Sequence, residues 1–429
     1  MLMRTRFEVG SLSLSLAVCG GCGSEVSIFP PPSLNTDPGA PTPIPEVGDE
    51  PLSACTTLSL VSLPTPDGDS REVVGSWFGP AGAKFIVRYP DERLHLYQWP
   101  REGAVEYVRP VASTDQVSGR ALRGSFSPDG QYFAACAWAQ PQPALRVFDL
   151  DGGTFTSRPL DDVAECTQVT GYEGGWQVFA KEWATPTPAT LLRLDVEATG
   201  EERIALEQTM RSPTGSARPL LPVGPGASVV YRSYTEARWP DEAVFWQPVD
   251  ANWSPTGDPI QLLGERMQNG DSRFAALPDG GLGLVFRPHG GALPSGDEHH
   301  LLVADRDGQR RVLRPLSSPS GNVGRVEVHH DGEDALFWAF LDLGNNFDPA
   351  TAQSEEGYLY LQRLSSGADG VDDEPLLVAD VGPRAGANLH VLSYRPGDRI
   401  ELLLSWQGEN DDGVTTVFAS RIECPTTEG

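Results

Sequence analysis

The sequence predicts an all-β domain built from a four-stranded unit that recurs along the chain. From about residue 53 onward helical periodicity is nearly absent, and short runs of Val, Phe, Tyr, Trp and Leu alternate with Gly, Pro and Asp turns. One unit begins with "SFSPDGQYF" at 125–133 and continues with "ALRVFDLDG" at 144–152. Each stretch combines an apolar strand pattern with a tight turn, so the unit is predicted to contain two hairpins.

The unit occurs seven times when the segments are aligned on the glycine of the first turn. The aligned glycines are 45 to 65 residues apart and are Gly82, Gly130, Gly175, Gly226, Gly280, Gly332 and Gly397. A later apolar strand follows each of them, from "RLHLYQW" in the first unit to "TTVFASR" in the last. This spacing is typical of four-stranded blades, which bury both faces only by stacking around an axis. We therefore predict a seven-bladed β-propeller over residues 53–425.

The second unit, "GSFSPDGQYFAACAW...LRVFDLDGG", resembles the WD-like repeat of TolB-type β-propellers. In that repeat a Ser-Pro-Asp-Gly turn joins strands A and B, and an Asp-Gly turn joins strands C and D. The resemblance is close over 119–153, fair over 270–309, and a pattern only elsewhere. It implies the fold and a periplasmic setting but no activity, because propellers host many functions.

The strand count predicts how the first and last blades are joined. The seventh unit supplies only three strands, whereas one strand, "TTLSLVSL" at 56–63, precedes the first unit. A propeller must join its last blade to its first or leave a strand edge exposed. We predict that 56–63 is the outer strand of blade seven, antiparallel to 415–422, and that Cys55 and Cys424 form a disulfide beside it.

A second disulfide is predicted between blades two and three. The domain has four cysteines, and an even number in an exported chain suggests disulfides. Cys136 falls in strand B of blade two, and Cys166 falls at the start of strand A of blade three. Neighbouring blades pack face to face, which brings these two residues within bonding range. The alternative is a pair of buried free thiols.

Residues 1–22 predict an export signal. The apolar run at 9–18 is too short to span a bilayer as a mature helix, and "LAVCGGC" follows it. This arrangement resembles a bacterial lipoprotein signal, which implies that Cys19, or alternatively Cys22, is lipidated. The expected location is the cell envelope, at the outer membrane or facing the periplasm. Ordinary secretion and a cytosolic location are the alternatives.

Composition restricts the partners. Residues 23–52 are rich in proline and are predicted to be an extended tether. The chain has 59 acidic and 32 basic residues and a net charge of -27, so it repels nucleic-acid backbones. Charge also disfavours docking on anionic lipid, and membrane attachment is expected through the lipid anchor only. We expect a monomer.

No catalytic motif is recognised. The sequence has no Gly-x-Ser-x-Gly, Walker or Rossmann pattern. The histidine pairs at 299–300 and 329–330 lie on strands, where neighbours point to opposite faces, so neither pair is a ready two-ligand site. His95 and His390 lie inside apolar strands and are predicted to be packing residues. We therefore predict no catalytic residue, no cofactor and no metal site.

Loop lengths suggest where a partner binds. The A–B and C–D turns of a blade lie on one face, here called the turn face, and the B–C and D–A connections lie on the other, the loop face. The B–C connections are long or acidic at 288–298, 342–357 and 407–413. Insertions that collect on one face of a repeat array often mark the binding face, although neutral drift is the alternative. The candidate binding residues are Asp297, Glu298, Asn345, Asn346, Asp348, Glu409, Asn410 and Asp411.

We thus expect a binding or scaffold protein whose partner is an envelope protein or glycan. The alternative is a propeller enzyme of the hydrolase or lactonase type, with a divalent metal in the central channel. Acidic loops at 367–374 and 408–413 contain oxygen ligands of the kind Ca²⁺ uses, but they follow no known calcium-loop spacing.

Overall fold

The chain is described here from a computed structural model. The described residues are 55–64, 72–112, 124–139, 142–160, 163–172, 175–182, 191–197, 203–206, 217–222, 228–234, 242–248, 257–258, 260–263, 273–288, 298–346, 356–366, 372–382, 387–409 and 414–426. All of them belong to the unit Pro45–Gly429, and the preceding unit, Met1–Ile44, lies outside them. Within these ranges no helix has the length and hydropathy needed to cross a membrane.

The described residues form seven four-stranded antiparallel sheets. The first sheet contains β2 (Glu72–Gly79), β3 (Gly82–Arg88), β4 (Leu94–Pro100) and β5 (Glu106–Ala112). The second contains β6 (Gly124–Phe126), β7 (Tyr132–Ala139), β8 (Gln142–Asp149) and β9 (Phe155–Pro159). The third contains β10 (Val163–Tyr172), β11 (Gly175–Glu182), β12 (Leu191–Glu197) and β13 (Arg203–Leu206).

The next three sheets repeat the same order. The fourth contains β14 (Ala217–Pro222), β15 (Ser228–Tyr234), β16 (Glu242–Pro248) and β17 (Ile260–Leu263). The fifth contains β18 (Arg273–Ala276), β19 (Leu282–Phe286), β20 (His300–Ala304) and β21 (Arg310–Pro315). The sixth contains β22 (Val323–His330), β23 (Leu336–Asp342), β24 (Tyr358–Leu364) and β25 (Leu376–Asp380).

The seventh sheet combines the two ends of the domain. It contains β26 (Ala387–Tyr394), β27 (Arg399–Glu409), β28 (Thr415–Pro425) and β1 (Thr56–Ser62), in the order β1-β28-β27-β26. The β1–β28 pair is antiparallel, and a disulfide joins Cys55 to Cys424 with their Cα atoms 4.1 Å apart. The predicted pairing of 56–63 with 415–422 and the predicted Cys55–Cys424 bridge are therefore confirmed.

The turn glycines have the backbone conformation that the repeat requires. Gly82, Gly130, Gly280, Gly332 and Gly397 have φ between 69° and 122°. Residues with a side chain rarely adopt such angles. At Gly130 a Cβ atom would also lie 2.6 Å from the Trp77 ring of the first sheet. Gly175 begins β11, and Gly226 lies outside the described residues.

The sixth sheet is covered on both faces at its second strand. All seven residues of β23 are buried, although a strand on a one-sided sheet would alternate between buried and exposed residues. The first strands of consecutive sheets pack together, as β18 with β22, β22 with β26, β26 with β2, β2 with β6 and β6 with β10. The packing of β26 against β2 brings the last sheet next to the first.

Arginines join the seventh sheet to the first. Arg421 of β28 is 7% exposed, and its guanidinium lies over the Trp99 ring at 4.0 Å. It also donates hydrogen bonds to three consecutive backbone carbonyls at the end of β4: Trp99 at 2.6 Å, Pro100 at 2.8 Å and Arg101 at 2.9 Å. The side chain of Arg101 forms a two-oxygen ion pair with Glu401 of β27, at 2.6 and 2.7 Å.

The second predicted bridge is described at one end only. Cys136 is disulfide-bonded and lies in β7, as expected. Cys166 lies in β10, which packs beside β7, but its side chain is outside those described. The pairing of these two cysteines stays a prediction.

Candidate functional site

The predicted binding residues lie at the loop ends of the last three sheets where they are described. Glu298 precedes β20, Asn345 and Asn346 follow β23, and Glu409 ends β27; all four are exposed. Asp297, Asp348, Asn410 and Asp411 lie outside the described residues, as do Cys19 and Cys22.

The start of the sixth B–C connection is fixed by a buried carboxylate. Asp342, at the end of β23, is 1% exposed. It accepts hydrogen bonds from the Ser320 backbone N–H at 2.9 Å, the Gly344 N–H at 2.8 Å and the Ser320 hydroxyl. Asn322 donates its side-chain amide to the Gly344 carbonyl at 2.9 Å.

We call Ser320, Asn322, Asp342 and Gly344 the Asp342 platform. A buried carboxylate is tolerated only when hydrogen-bonded, and these bonds tie the B–C connection of the sheet to the preceding D–A connection. Gly344 has φ of 71°, and a Cβ atom there would lie 2.2 Å from the Glu356 carboxylate, which favours glycine. The platform presents Asn345 and Asn346 to solvent.

A second polar group of residues lies on the first strands of the fifth, sixth and seventh sheets. On β22 the half-buried Arg325, Glu327 and His329 alternate with the buried Val326 and Val328. Because side chains alternate along a strand, the three polar residues share one face. The group also includes Arg273 of β18 and His390 of β26, and we call these five residues the first-strand cluster.

Glu327 and Arg273 link two sheets of this cluster. Arg273 Nε donates a hydrogen bond to Glu327 Oε2 at 3.1 Å. The Arg273 side chain is 36% exposed and the Glu327 side chain is 25% exposed. Burial among protein atoms raises the pKa of Glu327 to about 7, even though Arg273 acts in the opposite direction. At neutral pH Glu327 is therefore shared between its acid and its carboxylate form, as general acids and bases often are.

The histidines of the cluster are neutral at physiological pH. Burial lowers the pKa of His329 to about 4, and its Nε2 lies 2.8 Å from the Ser393 hydroxyl of β26. Burial also lowers the pKa of His390 to about 4; the nearby Arg273 adds to this effect, and a hydrogen bond with the Val73 backbone opposes it. The cluster thus reaches from the fifth sheet to the first.

His390, predicted to be a packing residue, also makes polar contacts. Its ring is half-buried, is hydrogen-bonded to β2 and lies within the electrostatic reach of Arg273. The other prediction, for His95, is confirmed, since His95 is 2% exposed and packs on Tyr89 with ring centroids 4.5 Å apart.

His299 and His300 lie next to each other at the start of β20. His299 is buried, and this burial lowers its pKa to about 3, while the His300 Nδ1 lies 2.8 Å from the Glu298 carbonyl oxygen. Within the described ranges, no group of three or more His, Cys, Asp or Glu side chains is arranged to hold a metal ion. The acidic loop residues 367–371 and 410–413 lie outside those ranges.

Sequence reasoning missed the first-strand cluster and the Asp342 platform. The signal for the cluster was present in "RVEVHH" at 325–330, where polar and apolar residues alternate on the first strand of a unit. The other first strands described here have fewer charged residues. For Asp342 no comparable signal exists, because an Asp at the end of a strand is ordinary turn chemistry.

The chain was compared with family models, curated proteins and solved structures. No family model matches the sequence, and no curated protein matches it. The structural neighbours are β-propeller proteins, including TolB and WD40 domains, at low sequence identity.

Three of these structures illustrate the range. The β-propeller domain of the Trilobed protease from Pyrococcus furiosus is 10% identical, with a TM-score of 0.43 and coverage of 82% of this chain and 95% of that one. Oligogalacturonate lyase from Vibrio parahaemolyticus is 12% identical, with a TM-score of 0.49 and coverage of 86% and 98%. TolB from Acinetobacter baumannii is 14% identical, with a TM-score of 0.37 and coverage of 80% and 63%.

The neighbours include peptidases as well as TolB. This chain covers 50% of the length of a prolyl endopeptidase and 49% of the length of an acylaminoacyl peptidase. No activity follows from similarity at this level, because the same fold carries unrelated functions.

Proposed function

We propose that this protein is an envelope-anchored binding protein that uses the loop face of its last three sheets to contact a protein or a glycan. The observation that carries the proposal is the Asp342 platform. It holds the start of a long connection in one conformation and leaves Asn345 and Asn346 exposed. Rigid scaffolds that present variable loops are the usual basis of binding surfaces.

The proposed scaffold is a seven-bladed propeller closed by β1. Three features support closure: β1 completes the seventh sheet, β26 packs against β2, and Arg421 and Arg101 connect the seventh sheet to the first. In this arrangement β1 covers the edge of β28 that would otherwise be exposed, which suits a protein that works outside the cytoplasm without aggregating.

The proposed anchor is a lipid on Cys19, or alternatively on Cys22, followed by the proline-rich tether at 23–52. A multiply acylated cysteine holds a protein on a membrane far more firmly than a single chain does. Replacing both Cys19 and Cys22 by Ser is expected to move the protein from the membrane fraction to the soluble fraction. An unblocked N-terminus on soluble wild-type protein would refute the anchor.

Site-specific photo-crosslinking tests the proposed binding face. A photoreactive residue replaces Asn346 on the loop face or, as the matched control, the exposed Asp398 on the turn face. We expect the same discrete adduct, in cells and in envelope extract, from position 346 and not from position 398. Excess unlabelled wild-type protein should suppress that adduct, because a specific site saturates. Equal adducts from both positions, or none that the wild type competes away, would refute the loop-face assignment.

A further inference from the structure

The outer edge of the seventh sheet is a strand without charge. β1 reads TTLSLVS and contains neither a charged residue nor a proline. Its outer side has no neighbour in the seventh sheet, whose order is β1-β28-β27-β26. Leu58 is 54% exposed and Leu60 is 49% exposed, the highest values among the large hydrophobic side chains that the structure describes. The leucine side chains on this edge are therefore open to solvent.

The fourth strands of the other six sheets are protected against pairing. Five of them carry charged residues, namely β5, β9, β13, β21 and β25, and three of these five also contain proline. The sixth, β17, is only four residues long. Charge, proline and short length are devices by which proteins keep strand edges from pairing. β1 has seven residues and uses none of these three devices.

Contacts at both ends hold β1 in place. The Cys55–Cys424 disulfide fixes its start. Just beyond its end, the Leu63 N–H donates a hydrogen bond to the Val417 carbonyl at 2.8 Å, and the Leu63 carbonyl accepts one from the Thr416 hydroxyl at 3.0 Å. A strand held in this way loses little conformational entropy when a further strand pairs with it.

The backbone of β1 directs hydrogen-bonding groups to the free edge. Leu63 faces β28, and successive residues of a strand direct their N–H and C=O groups to alternate edges, so Ser62 and Leu60 direct theirs away from β28. Leu58 is the extra residue at an irregularity in the β1–β28 register and has no partner in β28. These three residues offer backbone donors and acceptors to an additional strand.

We propose that β1 pairs with β1 of a second copy of this chain, antiparallel to it and about a twofold axis at Ser59. In this register Leu58 of each copy lies opposite Leu60 of the other, and Ser59 lies opposite Ser59. Because residues two apart on a strand share a face, the four leucines come together on one face of the joined sheet. The contact is separate from the loop face and goes beyond the proposed function.

Charge and order favour a second copy as the occupant of this edge. Two chains with a net charge of -27 repel each other, so a contact between them requires a surface without charge, and β1 supplies one. A second copy also brings an edge that is already held in place, whereas a disordered peptide would lose conformational freedom on pairing. Twofold contacts are the commonest arrangement in soluble homo-oligomers.

The proline-rich segment of the same chain is a poor alternative occupant. Residues 23–52 precede β1, but proline has no N–H to donate to a strand ladder. This segment also contains Glu and Asp and no basic residue, so nothing in it offsets the acidity of the domain.

The size of the contact sets its expected strength. Interfaces of standard size use about 20–30 residues from each partner, whereas β1 supplies seven. We therefore expect a reversible dimer, in place of the monomer expected from the sequence.

Engineered disulfides test the register in the full chain, with Cys19 and Cys22 replaced by Ser so that neither lipid nor extra thiols interfere. Ser59→Cys places two cysteines at a pair without backbone hydrogen bonds, where the Cα atoms of antiparallel strands lie about 4.5 Å apart, within disulfide range. Ser62→Cys is the matched control on the same strand. Its partner in this register is Thr56, so the two copies of residue 62 lie about 20 Å apart.

We expect a covalent homodimer from Ser59→Cys and none from Ser62→Cys on non-reducing gels. Peptide mapping checks that the Cys55–Cys424 bond is intact in both variants.

Sedimentation velocity measures the contact without a covalent bond. The same lipid-free chain should shift from monomer toward dimer as its concentration rises from about 1 μM to about 1 mM. Leu60→Lys should weaken the dimer about tenfold or more, because it removes the central apolar pairs. Leu313→Lys, which replaces a leucine that is 40% exposed on β21, should leave it unchanged. Circular dichroism and the melting temperature identify any variant that fails to fold.

A chain that stays monomeric at the highest concentration, equal covalent dimers from Ser59→Cys and Ser62→Cys, or unchanged association of folded Leu60→Lys would each overturn the proposal. A Ser59→Cys adduct whose mass is not twice that of the chain would assign the edge to another protein and overturn it as well. Crosslinking at Asn346 does not depend on β1, so its result separates failure of this contact from failure of the proposed function.

Discussion

The turn face and the loop face of the sheets differ in how regular their connections are. On the turn face an Asp side chain recurs in the short turns and accepts backbone N–H groups; Asp129 binds Gln131, Asp279 binds Gly281 and Asp305 binds Asp307, at 2.9 to 3.0 Å. On the loop face the connections differ in length, and the Asp342 platform in the sixth sheet has no described equivalent in the other sheets.

The contacts that join the two ends of the domain also lie on the turn face. The Cys55–Cys424 bridge and the Arg421 contacts with the end of β4 are both there. Under the proposed function, the contacts that fasten the ends of the domain and the residues that bind the partner lie on opposite faces. Substitution of the fastening residues on the turn face should therefore reduce the free energy of unfolding, and substitution of the exposed Asn345 and Asn346 on the loop face should alter the proposed binding with little change in stability.

The largest effect is expected from Cys55→Ser. The bridge spans 369 residues, and chain entropy gives an upper bound of about 5–6 kcal/mol for its contribution to the free energy of unfolding. Thermal and urea denaturation should show a marked loss of stability, and limited proteolysis should cut near β1. Cys424→Ser is the control, because it removes the same bond from its other end and should cause a similar loss. Unchanged stability and an equally stable truncation before residue 65 would contradict the role of β1.

Arg421→Met should have the next largest effect. It removes three hydrogen bonds and leaves carbonyls at the end of β4 without their donor, at a cost of about 2–3 kcal/mol. Arg399→Met is the matched control: Arg399 is also on the seventh sheet, but its side chain is 59% exposed and its ion pair with Glu423 is open to solvent, so little change in stability is expected. Urea denaturation of both variants measures the difference, and equal losses would contradict the fastening role of Arg421.

Glu327→Gln is expected to change how stability depends on pH. The pKa of Glu327 is raised from 4.5 to about 7, so the folded state holds a proton that the unfolded state releases between these values. Stability from this group is thus present below pH 4.5 and is lost as pH rises toward 7. The melting temperature of E327Q should rise relative to wild type as pH goes from 5 to 8, by the equivalent of about 1 kcal/mol after allowance for partial exposure.

The histidines oppose this trend and provide the control. His329 and His390 have lowered pKa values of about 4, so their contribution is lost as pH falls through the range from 6.5 to 4. Both wild type and E327Q should therefore lose stability in acid. A difference between the two proteins that stays constant from pH 5 to 8 would show that Glu327 does not titrate as described.

The smallest effect on folding is expected from Asn345→Ala combined with Asn346→Ala. Both side chains are exposed beyond the platform, so the free energy of unfolding should change by less than about 0.5 kcal/mol. The proposed partner, in contrast, should be bound more weakly, as measured by competition against the crosslink at a neighbouring loop-face position. A loss of stability comparable to that of Arg421→Met would place these residues among the structural ones.

Much of the fold could be predicted because turns and strands are determined by residues close together in the sequence. Glycine at 130 and 280 marks turns that only a positive φ allows, and the surplus strand at 56–63 leads to the composition of the seventh sheet and to the Cys55–Cys424 pairing. The position of a side chain relative to other sheets is not local. In the sequence Arg421 looks like any strand residue, and its role is visible only once β4 is placed beside it. His390 likewise looks like a packing residue, and its polar contacts are visible only once β2 and β18 are placed.

The same limit applies to the candidate site. Long loops at 288–298 and 342–357 are visible in the sequence, but the buried Asp342 that fixes one of them depends on Ser320 of the preceding connection. The pKa values of Glu327 and His329 likewise depend on how densely three sheets surround them, a property of tertiary packing.

The disulfide also determines how the domain responds to mechanical load. A pull on the chain before Cys55 would, without the bridge, peel the edge strand β1 from β28 one hydrogen bond at a time. With the bridge, the tension passes through a covalent bond to Cys424 in β28, a strand held on both sides by β27 and β1. The edge strand therefore carries little of the force. A domain pulled through its N-terminal segment would resist strand-by-strand unfolding for as long as the disulfide stays oxidised.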